Sequence, residues 1–133
     1  MSAALTSSSN LRYVDPSTFT PHFSWKGRAL QCEGVSLVRI ADKTGTPTYV
    51  YSRAAIDDAQ AELHRGLGDL PHTLCFAVKA NGSLAILKHV ARMGNGFDIV
   101  SGGELALLQS ISVPGDRIVF SGVGKTREEM RAA

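Results

Sequence analysis

Residues 76–104 read FAVKANGSLAILKHVARMGNGFDIVSGGE, and the architecture of the chain follows from them. The run LCFAVKA at 74–80 is too short and too continuously apolar for an exposed element, so it reads as a buried parallel strand. Ser83 is placed to cap a helix whose Ile86, Leu87, Val90, Ala91 and Met93 form one broad apolar face before Gly94. A second buried strand is expected over 97–100. Ser101-Gly102-Gly103-Glu104 then has capping-box spacing: a hydroxyl to receive a backbone N–H, and a carboxylate three residues on to return the bond. The helix it opens turns Leu105, Leu108 and Ile111 inward.

Working outward toward the C-terminus, Pro114-Gly115 ends that helix, residues 117–120 read as a third strand, and Thr126 to Glu129 repeats the capping-box spacing. Strand starts near 75, 97 and 117 lie about one βα unit apart, which predicts an α/β fold with a parallel sheet and right-handed crossovers. Toward the N-terminus, Ser52 is a plausible cap for a helix over 53–66, with Ile56, Ala59, Leu63 and Leu67 at helical spacing. The segment VSLVRIA (35–41) is β-branched enough for a strand, 42–47 carries turn residues, and TYVY (48–51) reads as a second strand. Residues 1–34 are rich in Ser and Thr with scattered anchors such as Phe19, Phe23 and Trp25. They read as an irregular arm, with the first ten residues disordered and the aromatics docked on something folded. The resulting division is an arm at 1–34, strands linking to a β domain at 35–51, and βα units over 52–133.

In parallel α/β folds the turns after the strands share one end of the sheet, where ligands bind. Here those turns carry Lys79-Ala80-Asn81, Ser101-Gly102-Gly103 and Ser121-Gly122-Val123-Gly124. A strand-end lysine ordinarily snorkels its ammonium to water. Lys79 follows Phe76, Ala77 and Val78 and precedes a small, permissive turn, so a partly desolvated amine acting as an imine-forming nucleophile is the functional reading. Asp98, between Phe97 and Ile99, either holds a turn such as that of Ser101 or stands beside the lysine and its cofactor. Spacing does not choose between them. The loop at 121–126 fails as a nucleotide P-loop, because Val119 occupies the position of the required first glycine.

The histidines, His22, His64, His72 and His89, show no ligand spacing and read as surface residues, so no metal site is indicated. Fourteen basic and twelve acidic side chains are scattered without blocks of like charge, which gives nucleic-acid binding no support. Cys32 and Cys75 stand far apart, without a CxxC pair, and fit a reduced, cytoplasmic setting. No run is long enough for a membrane span, and the start lacks the features of a signal peptide. The chain stops just after a helix opens, and it reads as part of a longer protein.

The run FAVKANGSLAILKHVARMG resembles the lysine signature of the group IV pyridoxal-phosphate decarboxylases, of the alanine-racemase-like fold type III. VKAN, GFDIVSGGEL, FSGVGKT and the upstream GTPTYVYS look most like the diaminopimelate decarboxylase branch of that family, over roughly residues 35–130. The resemblance implies the first βα units of a (β/α)8 barrel that binds pyridoxal phosphate, preceded by strands of a β domain. An eight-unit barrel typically needs ~250 residues, so the barrel is incomplete in this chain. The resemblance also implies Lys79 as the covalent anchor of the cofactor and Asp98 beside it, with Asn81 and Ser101 lining the same end. It further implies a small amino-acid substrate and a homodimer in the intact enzyme; with sheet edges and helix faces left uncovered, the chain is expected to be inactive alone. An arginine or ornithine decarboxylase of the same group, or a non-catalytic cofactor-binding relative, is the alternative. Ala80 stands where ornithine decarboxylases commonly carry cysteine.

Overall fold

A computed structural model describes residues 21–133. The described residues divide into two compact units, one ending at Gly66 and the other spanning Leu67–Ala133. In the first unit, β1 (Phe23–Lys26), β2 (Ala29–Cys32) and β3 (Val35–Ser36) form a three-stranded antiparallel sheet in that order. The expected irregular arm is therefore a hairpin over its described part; the ten residues expected to be disordered, and Phe19, lie outside the described residues. The register pairs Lys26 with Ala29 and Cys32 with Val35, so each connection is a two-residue loop. In the second loop Glu33 and Gly34 have φ of 49° and 80°, the left-handed pair that lets a tight hairpin keep the twist of its strands. Counting Ser and Thr hid this signal, because a hairpin is specified by its turn and its cross-strand pairs rather than by strand hydrophobicity.

Residues 37–44 also depart from expectation: the predicted strand over 35–41 ends after Ser36, and α1 (Leu37–Thr44) takes its place. Ser36 caps it, accepting from the Arg39 amide, and Leu37, Ile40 and Ala41 are half-buried on one side while Val38, Arg39 and Asp42 are exposed. An apolar run this short satisfies either period, and the cap with the i, i+3, i+4 spacing favours the helix. TYVY forms no strand; Tyr49 is 87% exposed, and no described strand pairs with it. A strand needs a partner for its ladder, which propensity does not supply.

Helix α2 (Arg53–Leu67) begins where expected. The Ser52 hydroxyl accepts from the Ala55 amide at 3.0 Å and donates to Glu33 at 2.8 Å, while Glu33 also accepts from the Ala54 amide at 3.1 Å. The hairpin turn thus supplies a carboxylate to the positive end of α2. The Ala54 amide and then the Ser52 hydroxyl hold the Glu33 carboxyl below its ordinary range. Burial, followed by the Glu33 charge, raises the neighbouring Cys32 thiol. His22 is not a surface histidine: it is half-buried and meets Asp58 of α2 at 2.8 Å.

The second unit alternates strand and helix: β4 (Cys75–Ala77), α3 (Leu84–Arg92), β5 (Gly96–Ile99), α4 (Gly102–Ser110), β6 (Ile118–Phe120) and α5 (Arg127–Ala132). The three strands are parallel and lie in chain order. Phe97 and Ile99 of the central strand are fully buried, as are Leu87 and Val90 of α3 and Leu108 of α4, each contributing about 1.5–3 kcal/mol relative to exposure. Val78 joins this core directly after β4. The Arg117 guanidinium, ahead of β6, donates to the carbonyls of Ala91 and Asn95 and so covers the C-terminal end of α3. One expectation is corrected here. β4 is an edge strand among the described residues, with Cys75 exposed and Phe76 and Ala77 half-buried, because only one of its sides is paired.

Candidate active site at the carboxyl ends of the parallel strands

Strand alternation sorts the side chains of β5. Phe97 and Ile99 face the core, and Asp98 between them faces the other way, in register with Ala77 of β4 and Val119 of β6. Continuing two residues along each flanking chain leads to Lys79 on the β4 side and Ser121 on the β6 side. Asp98 is therefore bracketed by the lysine turn and the serine turn at one end of the sheet.

The lysine turn departs from the expected strand. β4 stops at Ala77, and Val78–Ala80 form a single 3-10 turn, closed by the Asn81 amide donating to the Val78 carbonyl at 3.1 Å. Val78 is 1% exposed whereas Lys79 is exposed, so the turn anchors on one residue and carries the next out of the sheet. The partial desolvation expected for Lys79 is not found, since the strand that would have enclosed it ends two residues earlier. Asn81 holds the far side of the turn, its Oδ1 accepting from the Ser83 amide at 2.9 Å. This side-chain turn leads into α3, for which Ser83 supplies the N-cap backbone but no capping hydroxyl. The result is a hydrogen-bonded turn that presents an exposed primary amine.

Asp98 accepts a hydrogen bond from the Ser121 hydroxyl, not from the Ser101 turn. Ser101 instead caps α4, its hydroxyl accepting from the Glu104 amide at 3.3 Å. The Glu104 carboxylate reaches past the cap residue and accepts from the Val100 amide at 2.8 Å, so the predicted box closes one residue early. At α5 the second box is complete: Thr126 accepts from the Glu129 amide at 3.1 Å, and Glu129 accepts from the Thr126 amide at 2.8 Å. The other oxygen of Glu129 accepts from the Gly102 amide at 2.7 Å, tying the start of α5 to the start of α4. These amides, Thr126 first and Gly102 second, hold the Glu129 carboxyl below its ordinary range.

Two further groups at this end are committed within the protein. A helix N-terminus is a ready anion site, but the first amide of α4 already serves Glu129. Lys125 folds back onto its own loop, donating to the Gly122 carbonyl at 2.6 Å with its ammonium 5.4 Å from the centre of the Phe120 ring. Among the described residues no cluster of three His, Cys, Asp or Glu could hold a metal, and no helix is long and apolar enough to cross a membrane. Sequence reasoning brought the Ser121 turn to this end but missed its bond to Asp98, and it missed the long-range half of Glu129. Strand register locates the first; the second needed the tertiary position of α4.

Residues 53–133 match the family model described as pyridoxal-dependent decarboxylase, pyridoxal binding domain. The chain belongs to this family. Among the pyridoxal-dependent decarboxylases, it is 54% identical over 111 residues to a diaminopimelate decarboxylase of Pseudomonas fluorescens and 51% identical over 111 residues to that of Pseudomonas aeruginosa. Each comparison covers 84% of this chain and 27% of the relative, so the chain spans about a quarter of the length of these curated relatives. A solved diaminopimelate decarboxylase from M. jannaschii superposes with a TM-score of 0.76 at 33% identity, over 84% of this chain and 27% of that one. A solved structure from Aquifex aeolicus reaches a TM-score of 0.78 at 40% identity, over 86% of this chain and 28% of that one. An antiparallel sheet followed by a parallel sheet flanked by helices is thus the architecture of the pyridoxal-dependent decarboxylases over this stretch.

Proposed function

We propose that this chain supplies the first βα units of a pyridoxal-phosphate-binding (β/α)8 barrel, over 52–133, with the preceding strands joining a β domain. The intact enzyme decarboxylates meso-2,6-diaminopimelate to L-lysine and carbon dioxide, as a cytoplasmic homodimer. The supporting observation is identity above one half to named diaminopimelate decarboxylases across 84% of the chain, together with a lysine presented at the carboxyl end of a parallel strand. A solved relative from M. jannaschii carries L-lysine, the expected product.

The donor set fits the cofactor: a primary amine suited to an aldehyde carbon, with a carboxylate–hydroxyl pair on the neighbouring strands. When bound, pyridoxal phosphate supplies a carbonyl for covalent attachment and a ring that draws electrons from the carbon losing carbon dioxide. Lys79 would hold it through Nζ, on a backbone fixed by Val78 and Asn81. Asp98 would stand beside the attachment point and hold a proton there. The Ser101 turn and Asn81 would line the same end. The family resemblance assigns the phosphate grip and the substrate-selecting groups to other parts of the enzyme; here the Gly102 amide and Lys125 are engaged within the chain.

Reduction of the cofactor-loaded intact protein with borohydride should leave the cofactor on the peptide containing Lys79. The Lys79→Ala variant should lose that label, and its release of carbon dioxide from meso-diaminopimelate should fall to background. Normal turnover by Lys79→Ala would refute the assignment. Competition among diaminopimelate, ornithine and arginine separates this branch from its relatives.

A further inference from the structure

We infer that Ser121 is a positioning residue for the active site, its hydroxyl orienting the Asp98 carboxylate from the β6 side so that the carboxylate meets the cofactor held on the β4 side. The inference rests on the function proposed above. Ser121 lies two residues beyond Val119, the register partner of Asp98, and so projects from the same face of the sheet. Its backbone cannot wander: the Ser121 amide donates to the Ile99 carbonyl at 3.0 Å, extending the β5–β6 ladder by one bond. The next residue, Gly122, lies so close to Val100 that an added Cβ would fall 2.9 Å from its carbonyl oxygen. With its backbone placed by that ladder bond, the serine directs its hydroxyl to donate to Asp98 Oδ1. That bond engages one carboxylate oxygen and leaves Oδ2 for the ligand. Lys79 comes from the opposite flank, two residues beyond Ala77, the other register partner of Asp98. The two flanking strands thus divide the work, one carrying the amine and the other fixing the carboxylate.

The experiment uses the intact protein and pyridoxal phosphate as the probe. Ser121→Ala should weaken cofactor binding about five- to tenfold, the range for a hydrogen bond to a charged group discounted for an exposed donor. It should also alter the visible absorption band of the bound cofactor, and Ser121→Thr should restore both. In an Asp98→Asn background, Ser121→Ala should add less than about twofold, because the partner it orients is gone. The thermal midpoint of the cofactor-free protein should stay unchanged in Ser121→Ala; a merely structural serine would move that midpoint and leave the absorption band alone. Wild-type affinity and spectrum in Ser121→Ala, or full additivity with Asp98→Asn, overturns the inference. A wild-type protein that fixes no cofactor at Lys79 overturns the proposed function and the inference together. Normal fixation with an indifferent Ser121→Ala overturns the inference alone.

Discussion

Gly122 and Gly124 sit two residues apart in one loop, yet alanine should act on them with opposite sign. At Gly122 a Cβ would lie 2.9 Å from the Val100 carbonyl oxygen, 3.0 Å from its Cα and 3.1 Å from its Cβ. Carbon atoms rest at about 3.5–4.0 Å, so the loop must withdraw from β5 by roughly half an ångström or more against backbone that cannot rotate away. Overpacking of this kind costs about 1–3 kcal/mol. At Gly124 nothing lies within 4 Å of the added carbon, and its φ is not left-handed. The substitution there only narrows the unfolded ensemble, a gain of about 0.4–1 kcal/mol. Thermal unfolding of the cofactor-free intact protein reads the difference, at about 2–4 °C for each kcal/mol in a domain of barrel size. Gly122→Ala should melt lower than wild type, and Gly124→Ala level with it or slightly higher. An unshifted Gly122→Ala, or an equal loss in both, would refute the close packing of this loop on Val100.

The Glu129 carboxyl is held below its ordinary value of 4.5, so its contribution to stability is complete above that value and is lost as pH falls through the lower folded-state value. Acid titration of stability should therefore steepen below about pH 4.5, and Glu129→Gln should flatten that limb while leaving neutral-pH behaviour of the Lys79 turn intact. Asn81→Ala removes the acceptor for the Ser83 amide and should cost about 0.5–1.5 kcal/mol, with Asn81→Asp retaining most of the stability. Equal melting of the alanine and aspartate variants would mean that the side-chain turn does not hold the lysine in place.

The second unit was legible from sequence because each of its signals is local. Ile86, Leu87, Val90 and Ala91 state a helical face, Ser101 and Thr126 carry their own caps, and Pro114-Gly115 breaks the chain before β6. The first unit was less legible. Residues 35–41 suit either period, and the helix there follows from the Ser36 cap and the side buried against β2. FSWK and ALQC are only four residues each, too short for their period to be decisive, and they become strands by pairing through a tight turn. The site divides in the same way. Lys79 and Asp98 are visible as charged residues, one at the end of an apolar run and the other inside one. The hydrogen-bond partner of Asp98 is not in the adjacent Ser101 turn but twenty-three residues away, at Ser121.

By itself the sequence determined the βα alternation, the caps and the two polar residues that the strands carry to one end of the sheet, since all of these depend on neighbours within a turn or two. Tertiary structure alone decided that Lys79 leaves the sheet on a 3-10 turn, that Ser121 and not Ser101 holds Asp98, and that Glu129 occupies the α4 N-terminus. Each of these depends on the register and spacing of strands and helices far apart in the chain, which no local pattern encodes.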